Sequence, residues 1–166
     1  MKVAIEHVFG SITCPEYEDV YFDESFNAAV GDALELGRKL LRLDRSAERI
    51  VRHVCYEPKR DPDSPAGQAF GSSRASFIEE LDYDVRARRG RWKTIPNMFP
   101  ERVRNAGTIE IVEAPEGVRR IVRGEVKVSM FGFGGIIERM IVAEIEKSYA
   151  STAKLTTEWI ANRRGS

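Results

Sequence analysis

Residues 118–142, VRRIVRGEVKVSMFGFGGIIERMIV, contain the change of pattern that decides the fold. In the first half, apolar side chains such as Val122 and Val126 alternate with charged ones such as Arg123 and Lys127. This alternation is typical of a half-buried β-strand. Glycines follow, and a helical pattern begins after them. A strand, a glycine-rich turn and a helix in this order can bind a phosphate group, so nucleotide-binding motifs are the first possibility.

The glycines fit neither common nucleotide-binding motif. A dinucleotide fingerprint needs G-x-G-x-x-G and an acidic residue about 20 positions later, at the end of the next strand. Here Ile137 stands in place of the third glycine, and no strand is predicted after the helix. A P-loop needs Gly-Lys-Ser or Gly-Lys-Thr, which does not occur. The stretch therefore predicts a sharp turn that lays a long helix back across an antiparallel sheet.

The C-terminal helix is predicted from Gly134 to about Arg163. Its apolar face carries Ile137, Ile141, Ile145, Leu155 and Trp159 at helical spacing. Ser148 and Thr152 lie in the same line. An unpaired buried hydroxyl costs about 1–3 kcal/mol, so these two side chains indicate space and a polar partner beneath the helix.

The rest of the chain is mostly strand. Lys2–Gly10 alternates and predicts the first strand, and two short helices are predicted to start at Thr13 and at Asp23 or Ser25. Further strands are predicted at 38–43, 50–56, 75–83, 91–95, 108–112 and 118–130. The proline- and glycine-rich segment 57–73 predicts one long loop, either a lid or simply a mobile segment.

Composition predicts an ordinary globular protein with a single domain over residues 1–166. The chain has 26 Lys plus Arg and 26 Asp plus Glu, so no global field draws it to nucleic acid or to an anionic membrane. It has no signal-peptide pattern, and no segment reaches about 18 apolar residues. These features predict a soluble, cytoplasmic protein.

Metal and cofactor sites are not predicted. The two histidines, His7 and His53, and the two cysteines, Cys14 and Cys55, could in principle form a tetrahedral zinc site. They lack the C-x-x-C or H-x-x-x-H spacing that makes such a site specific. Buried, reduced thiols are the preferred interpretation.

The predicted order of elements is strand, two short helices, about six antiparallel strands and a long helix, which is the order of the helix-grip fold. Over its full length the chain resembles the START-like (SRPBCC) superfamily. Locally, FIEELDYDVRARRGRWKTIPN (77–97), VEAPEGVRRIVRGEVKVSM (112–130) and FGGIIERMI (133–141) are similar to PRELI-like lipid-transfer proteins and uncharacterised bacterial members. The resemblance implies an α+β fold, in which a curved antiparallel sheet wraps around the C-terminal helix, and an apolar-ligand cavity between them.

Inward faces supply the candidate ligand-binding residues: His7, Phe77, Glu79, Tyr83, Trp92, Arg120, Val122, Ile141, Ile145, Ser148 and Thr152. His7, Glu79 and Arg120 are polar groups on otherwise apolar strand faces. Because an isolated buried charge is very costly, they must pair with one another, reach water at a cavity mouth or meet a ligand head group. The alternative to a pocket role is a structural Glu79–Arg120 pair, or a position at strand ends near solvent.

Three functions fit these residues. The leading one is non-enzymatic binding or transport of a lipid or other hydrophobic small molecule. The second is an enzyme of the cyclase, dehydratase or hydrolase type acting on an aromatic or polyketide-like substrate, with His7 or Glu79 as general acid or base. No catalytic triad or carboxylate pair can be recognised, so no catalytic residue is assigned. The third is an interaction module that uses the 57–73 loop and an arginine cluster.

That cluster is Arg86, Arg88, Arg89 and Arg91, at a predicted hairpin tip. A solvated turn is the ordinary interpretation. Transient docking to an acidic membrane or partner is the functional one. Nucleic acid is not expected as a partner, because no stacking aromatics alternate with the arginines.

Overall fold

The computed structural model describes residues 1–58 and 75–165, and shows a seven-stranded antiparallel sheet with helices on one face. The elements are β1 (Lys2–Gly10), α1 (Cys14–Tyr21), α2 (Glu24–Ala33), β2 (Leu36–Arg45), β3 (Arg49–Pro58), β4 (Phe77–Asp84), β5 (Arg89–Pro96), β6 (Val103–Ala114), β7 (Gly117–Val128) and α3 (Gly134–Arg164). The strand order is β1-β7-β6-β5-β4-β3-β2. The predicted α+β helix-grip fold is confirmed.

Local signals account for most element ends. Thr13 caps α1 in a capping box with Glu16, and the Asp23 carboxylate caps α2. β6 begins at Val103, five residues before its predicted start at 108. This part of the strand was not predicted because asparagine and glycine are uncommon in strands. Asn105 and Gly107 nevertheless pair with β7. The predicted 57–73 loop lies outside the described residues except for its first two positions, which belong to β3.

The core lies on the concave face of the sheet, called here the inner face. On β7, Val118 and Val122 are fully buried on this face, and on β3, Ile50, Arg52 and Val54 are. Both sides of the strand at 50–56 are partly apolar in sequence. In the structure its even-numbered residues point to the inner face. Within the described residues, no helix is both long and apolar enough to span a bilayer.

Helix α3 packs on the edge of the sheet formed by β1 and β7, and on α2. The predicted apolar line is half-buried, whereas Val142, Thr156 and Ile160, each one position further along, are buried. One position is about 100° around the helix, so the predicted line forms a flank of the contact face. Ile141 and Ile145 lie on this flank, half-buried and packed against the core.

The expectation of a polar partner beneath α3 needs correction for Thr152, while for the Ser148 hydroxyl it stays a prediction. The Thr152 hydroxyl donates to the Ser148 carbonyl at 2.8 Å, and the Thr156 hydroxyl donates to the Thr152 carbonyl at 2.8 Å. Threonine can satisfy its hydroxyl in this way one turn back along its own helix. The Thr152 hydroxyl therefore requires no partner from outside α3.

A pair of glycines seats the indole of Trp92 on the inner face. Gly107 on β6 and Gly124 on β7 are cross-strand partners. A Cβ atom at Gly107 would lie 2.0 Å from the Arg123 carbonyl oxygen and 2.7 Å from the Trp92 ring. The Trp92 indole N–H donates to the Thr108 carbonyl at 3.2 Å. The missing side chains thus let a large ring lie flat against two strands.

Gly107→Ala is expected to lower the free energy of unfolding by about 2–3 kcal/mol, because either the ring or the backbone must move. Chemical denaturation measures this change. Gly135→Ala is the matched control, since a Cβ atom there meets nothing within 4 Å and alanine favours the helix by up to about 1 kcal/mol. Equal effects of the two substitutions would contradict the packing argument.

Candidate functional site

Arg120 is the central residue of the inner face. Its side chain is 1% exposed and extends from the first half of β7. The guanidinium donates to the Tyr17 hydroxyl at 3.2 Å and to the Tyr149 carbonyl at 3.4 Å, and lies 3.2 Å from Nδ1 of His7. Elements α1, α3 and β1 each provide one of these partners.

Aromatic rings cover the Arg120 guanidinium. It lies 5.4 Å from the Phe9 ring centroid and 4.9 Å from that of Tyr149, both at cation–π distance. Its Nε–H is buried and has no hydrogen-bond partner. Within residues 1–58 and 75–165, Arg120 forms no ion pair with a carboxylate. A full positive charge is therefore held mostly by neutral groups.

A second buried arginine, Arg52 on β3, is 3% exposed. Its guanidinium lies 3.5 Å from the Glu79 carboxylate on β4 and donates to the Tyr21 carbonyl at 3.4 Å. The rings of Tyr21 and Phe22 lie 5.4 and 5.6 Å from it. Its Nε–H, like that of Arg120, is buried without a hydrogen-bond partner.

Two tyrosines of α1 connect the arginines. Tyr17 binds Arg120, Tyr21 contacts Arg52, and the two rings stack with centroids 6.1 Å apart. Burial raises the pKa of Tyr17 to about 12 and raises that of Tyr149 well above its usual value, so both remain neutral phenols. The resulting arginine–tyrosine cluster consists of Tyr17, Tyr21, Arg52, Arg120 and Tyr149, with His7 and Glu79 attached.

The cluster has an excess of positive charge. Its two arginines are buried, whereas Glu79, its carboxylate, is half-buried and forms an ion pair with Arg52. Burial and the Arg120 charge lower the pKa of His7 below 6.5, so the imidazole is neutral and its Nδ1 can accept from Arg120. Among the described residues, no carboxylate provides a charge-assisted hydrogen bond to Arg120.

The predicted Glu79–Arg120 pair is wrong. Glu79 lies on β4 and Arg120 on β7, three strands away in the sheet. At about 4.8 Å per strand this separation is roughly 14 Å, too far for an ion pair. Arg52, on the strand next to β4, is the partner of Glu79 instead.

Comparison with known proteins identifies the family and supports the fold. The family described as "Protein of unknown function (DUF2505)" matches residues 69–160. The chain belongs to this family. The comparison does not extend to the PRELI-like or START-like grouping expected from sequence, which stays a prediction. No curated protein matches the sequence closely enough to count as a relative.

Several solved structures share the fold at low sequence identity. TTHA0849 from Thermus thermophilus has a TM-score of 0.66 and 14% identity, over 98% of this chain and 99% of that one. Ms6760 from Mycobacterium smegmatis has a TM-score of 0.62 and 11% identity, over 95% of this chain and 89% of that one. The di-domain ARO/CYC StfQ of the steffimycin biosynthetic pathway has a TM-score of 0.59 and 11% identity, over 100% of this chain and 53% of that one. These likenesses show a common fold.

The structure separates the predicted site residues into groups. His7, Glu79 and Arg120 belong to the cluster. Tyr83, Trp92 and Val122 are buried in the core, where the Tyr83 hydroxyl donates to the Glu18 carboxylate. Phe77, Ile141, Ile145, Ser148 and Thr152 are half-buried. The Phe77 ring stacks on Tyr56 of β3, with centroids 5.3 Å apart.

Sequence reasoning missed Arg52, Tyr17 and Tyr21. Both sides of β3 carry apolar residues, so the sequence did not show that Arg52 points inward. Tyr17 and Tyr21 are four residues apart on α1 and therefore share one face. Two tyrosines on one face of α1 could have been matched with the inward Arg120, and this match would have predicted that α1 packs over the sheet.

Two shallow pockets border the C-terminal half of α3. One, of about 140 Å³, is lined by Phe9, Gly10, Thr157, Ile160, Ala161 and Arg164, and the other, of about 110 Å³, by Phe26, Ala29, Val30, Leu155, Glu158, Trp159 and Asn162. Neither includes a predicted ligand-binding residue. The large cavity implied by the resemblance therefore stays a prediction.

Carboxylates partly neutralise the predicted arginine tip. Arg86 pairs with Glu48 at 2.7 Å and Arg89 with Glu110 at 2.8 Å. Arg88 lies 3.8 Å from Glu113 and 4.0 Å from Glu18. The tip is therefore less basic than its sequence indicates.

The four residues considered for zinc do not converge. His7 points to the inner face of β1, whereas His53 and Cys55 alternate with the buried residues of β3 and lie on the outer face. Cys14 is buried in α1. Among the described residues, no group of three His, Cys, Asp or Glu side chains could hold a metal ion.

The lowered pKa of His7 predicts how stability depends on pH. As pH falls through 6.5, the unfolded chain takes up a proton that the folded protein resists, so the free energy of unfolding should decrease. His7→Gln should flatten this dependence between about pH 7 and pH 5. Denaturation at several pH values measures it.

His53→Gln is the matched control for this measurement, because His53 is the only other histidine of the chain and lies on the outer face. It should retain the slope of the wild-type protein. Equal slopes for wild type and His7→Gln would contradict the assignment of a neutral, Arg120-bound imidazole.

Proposed function

We propose that this protein binds an apolar small molecule with an anionic head group between the curved sheet and α3. In this proposal the protein acts as a carrier or sensor of its ligand. The head group meets the arginine–tyrosine cluster, and the apolar part lies along the half-buried flank of α3.

The observation that carries this proposal is the buried charge of Arg120, which pairs with no carboxylate of residues 1–58 or 75–165. Burial of a cation costs several kcal/mol unless a counter-charge and hydrogen bonds offset it. Arg120 has hydrogen bonds and aromatic neighbours but no carboxylate among the described residues. A ligand carboxylate or phosphate would provide the missing charge and an acceptor for the free N–H groups.

Half-buried apolar side chains support the position of the ligand's apolar part. Tyr56 and Phe77 on the inner face of β3 and β4, and Ile141 and Ile145 on α3, all keep contact with solvent. Cores normally fill such inward positions tightly. An apolar ligand in this region would remove these side chains from water, at about 25 cal/mol for each Å² buried.

The fold comparison adds weaker support. StfQ, whose name places it in a biosynthetic pathway, shares this fold, so the scaffold is compatible with binding a small organic molecule. One fold hosts many functions, and the argument for a ligand therefore rests on the arginines.

The enzyme alternative is less favoured by the geometry. His7 lies against Arg120, which together with burial lowers its pKa, so it is a poor proton donor near neutral pH. Glu79 lies beside Arg52.

Binding should depend on the charge of the ligand head. Decanoate and decyl phosphate are expected to bind at least tenfold more tightly than decanol, because charge-assisted hydrogen bonds contribute about 1.5–3 kcal/mol. Arg120→Met should abolish this preference and should also lower the melting temperature, since the buried Tyr17 hydroxyl loses its partner. Calorimetric titration and thermal unfolding measure the two effects.

Arg91→Met is the control, because Arg91 is exposed on β5. It should leave the preference for anionic ligands unchanged. Equal affinity for decanol and decanoate in the wild-type protein, or a preference that survives Arg120→Met, would refute the proposed head-group site.

The position of the apolar part has its own test. Ile145→Trp should reduce decanoate affinity at least tenfold by filling the space beside α3, whereas Ala143→Trp, at an exposed position of the same helix, should not. Both variants should keep the wild-type circular dichroism spectrum. Equal affinities for the two variants would place the apolar part elsewhere.

A further inference from the structure

An exposed apolar surface lies at one end of the sheet, far from the arginine tip. Its members, called here the aromatic rim, are Phe99 (47% exposed), Phe131 (104%), Phe133 (64%), Ile136 (50%) and Met140 (41%). Single exposed apolar residues are common, but several at one edge usually indicate an interaction site.

Backbone hydrogen bonds join the two turns that carry the rim. Phe99 lies between β5 and β6, and Phe131 and Phe133 lie between β7 and α3. The Ser129 amide donates to the Arg102 carbonyl at 2.8 Å, and the Arg102 amide donates to the Phe99 carbonyl at 2.9 Å. The rim is therefore one contiguous edge.

The turn before α3 projects into solvent. Gly132 has φ +78°, and a Cβ atom there would meet nothing within 4 Å. Phe131 and Phe133 flank this glycine, so neither contributes to the core. Phe99 has φ +51°, which is uncommon for a bulky residue. Exposed rings on turns in such conformations do not stabilise the fold of the isolated chain.

The segments that carry the rim have more basic than acidic residues, and Arg102 lies 3.6 Å from the Glu101 carboxylate. Arg102, Arg104, Lys127 and Arg139 outnumber Glu101 and Glu138 on the same segments, although the whole chain has no net charge. The Glu138 carboxylate is already engaged, since it accepts from the Val128 amide at 2.8 Å and lies 3.3 Å from the N-terminal ammonium. The Arg102 guanidinium lies 5.9 Å from the Phe99 ring centroid.

We infer that the aromatic rim docks this protein onto an anionic lipid membrane. Aromatic and apolar side chains on a projecting turn can enter the interfacial layer of a bilayer, while arginine and lysine side chains reach lipid phosphates. Each basic residue near an anionic surface contributes to its attraction. The rim stands on observations independent of the interior site, and it gives an apolar ligand a route from a membrane.

Vesicle sedimentation tests this inference with the full chain. Wild-type protein should bind vesicles of phosphatidylcholine mixed with phosphatidylglycerol, and should bind pure phosphatidylcholine vesicles less. The double variant Phe131→Ala/Phe133→Ala should bind the mixed vesicles about tenfold or more weakly, because two large apolar side chains are lost. Arg102→Gln/Arg104→Gln should reduce the preference for the mixed vesicles.

Leu40→Ala/Leu41→Ala is the matched control, because these leucines are 38% and 47% exposed on β2, at the opposite edge of the sheet from β1 and β7. It should bind as the wild type does. Arg120→Met should also retain vesicle binding, which separates this test from that of the interior site.

Three results would overturn the inference. The first is no binding of the wild-type protein to the mixed vesicles. The second is equal binding by the Phe131→Ala/Phe133→Ala variant. The third is that light scattering shows a concentration-dependent dimer that this variant abolishes, without vesicle binding in the wild type, because the rim would then join two copies of the chain.

Discussion

The buried charge of Arg120 constrains the rest of this structure. It lies in the first half of β7, between two fully buried valines, and its partners come from β1, α1 and α3. Each partner satisfies part of the guanidinium, and none of them neutralises it. The positions of α1 and α3 above the sheet are therefore linked to a charge that the described part of the chain leaves without a counter-ion.

The polar residues that looked unusual in the sequence fall into two kinds. The threonine hydroxyls of α3 are satisfied by carbonyls of the same helix, so they carry no functional meaning by themselves. A strand residue cannot satisfy its side chain in that way, because its own backbone groups are used in the sheet. The inward polar groups on β1, β3, β4 and β7 therefore need partners from other elements, and they meet in one cluster.

Much of the fold could be predicted from local patterns. Alternation defined β1 and β7, side-chain caps at Thr13 and Asp23 defined the two short helices, and the glycines before α3 defined the turn. Tertiary relations were less accessible. The Glu79 partner depends on strand order, and the inward direction of Arg52 was hidden because both sides of β3 are partly apolar. The residues of α3 that are buried against the sheet lie one position after the predicted ones, because the helix packs on the β1–β7 edge.

In our proposal, the aromatic rim lets this protein collect an amphipathic molecule from a membrane, and the interior cluster holds the charged end of that molecule on Arg120. Native mass spectrometry of the purified wild-type and Arg120→Met proteins, followed by organic extraction, tests this account most directly. The account predicts that the wild type carries an apolar molecule with an acidic group and that the variant does not. The same bound molecule at equal occupancy in both proteins, or a bound molecule without an acidic group, would contradict it.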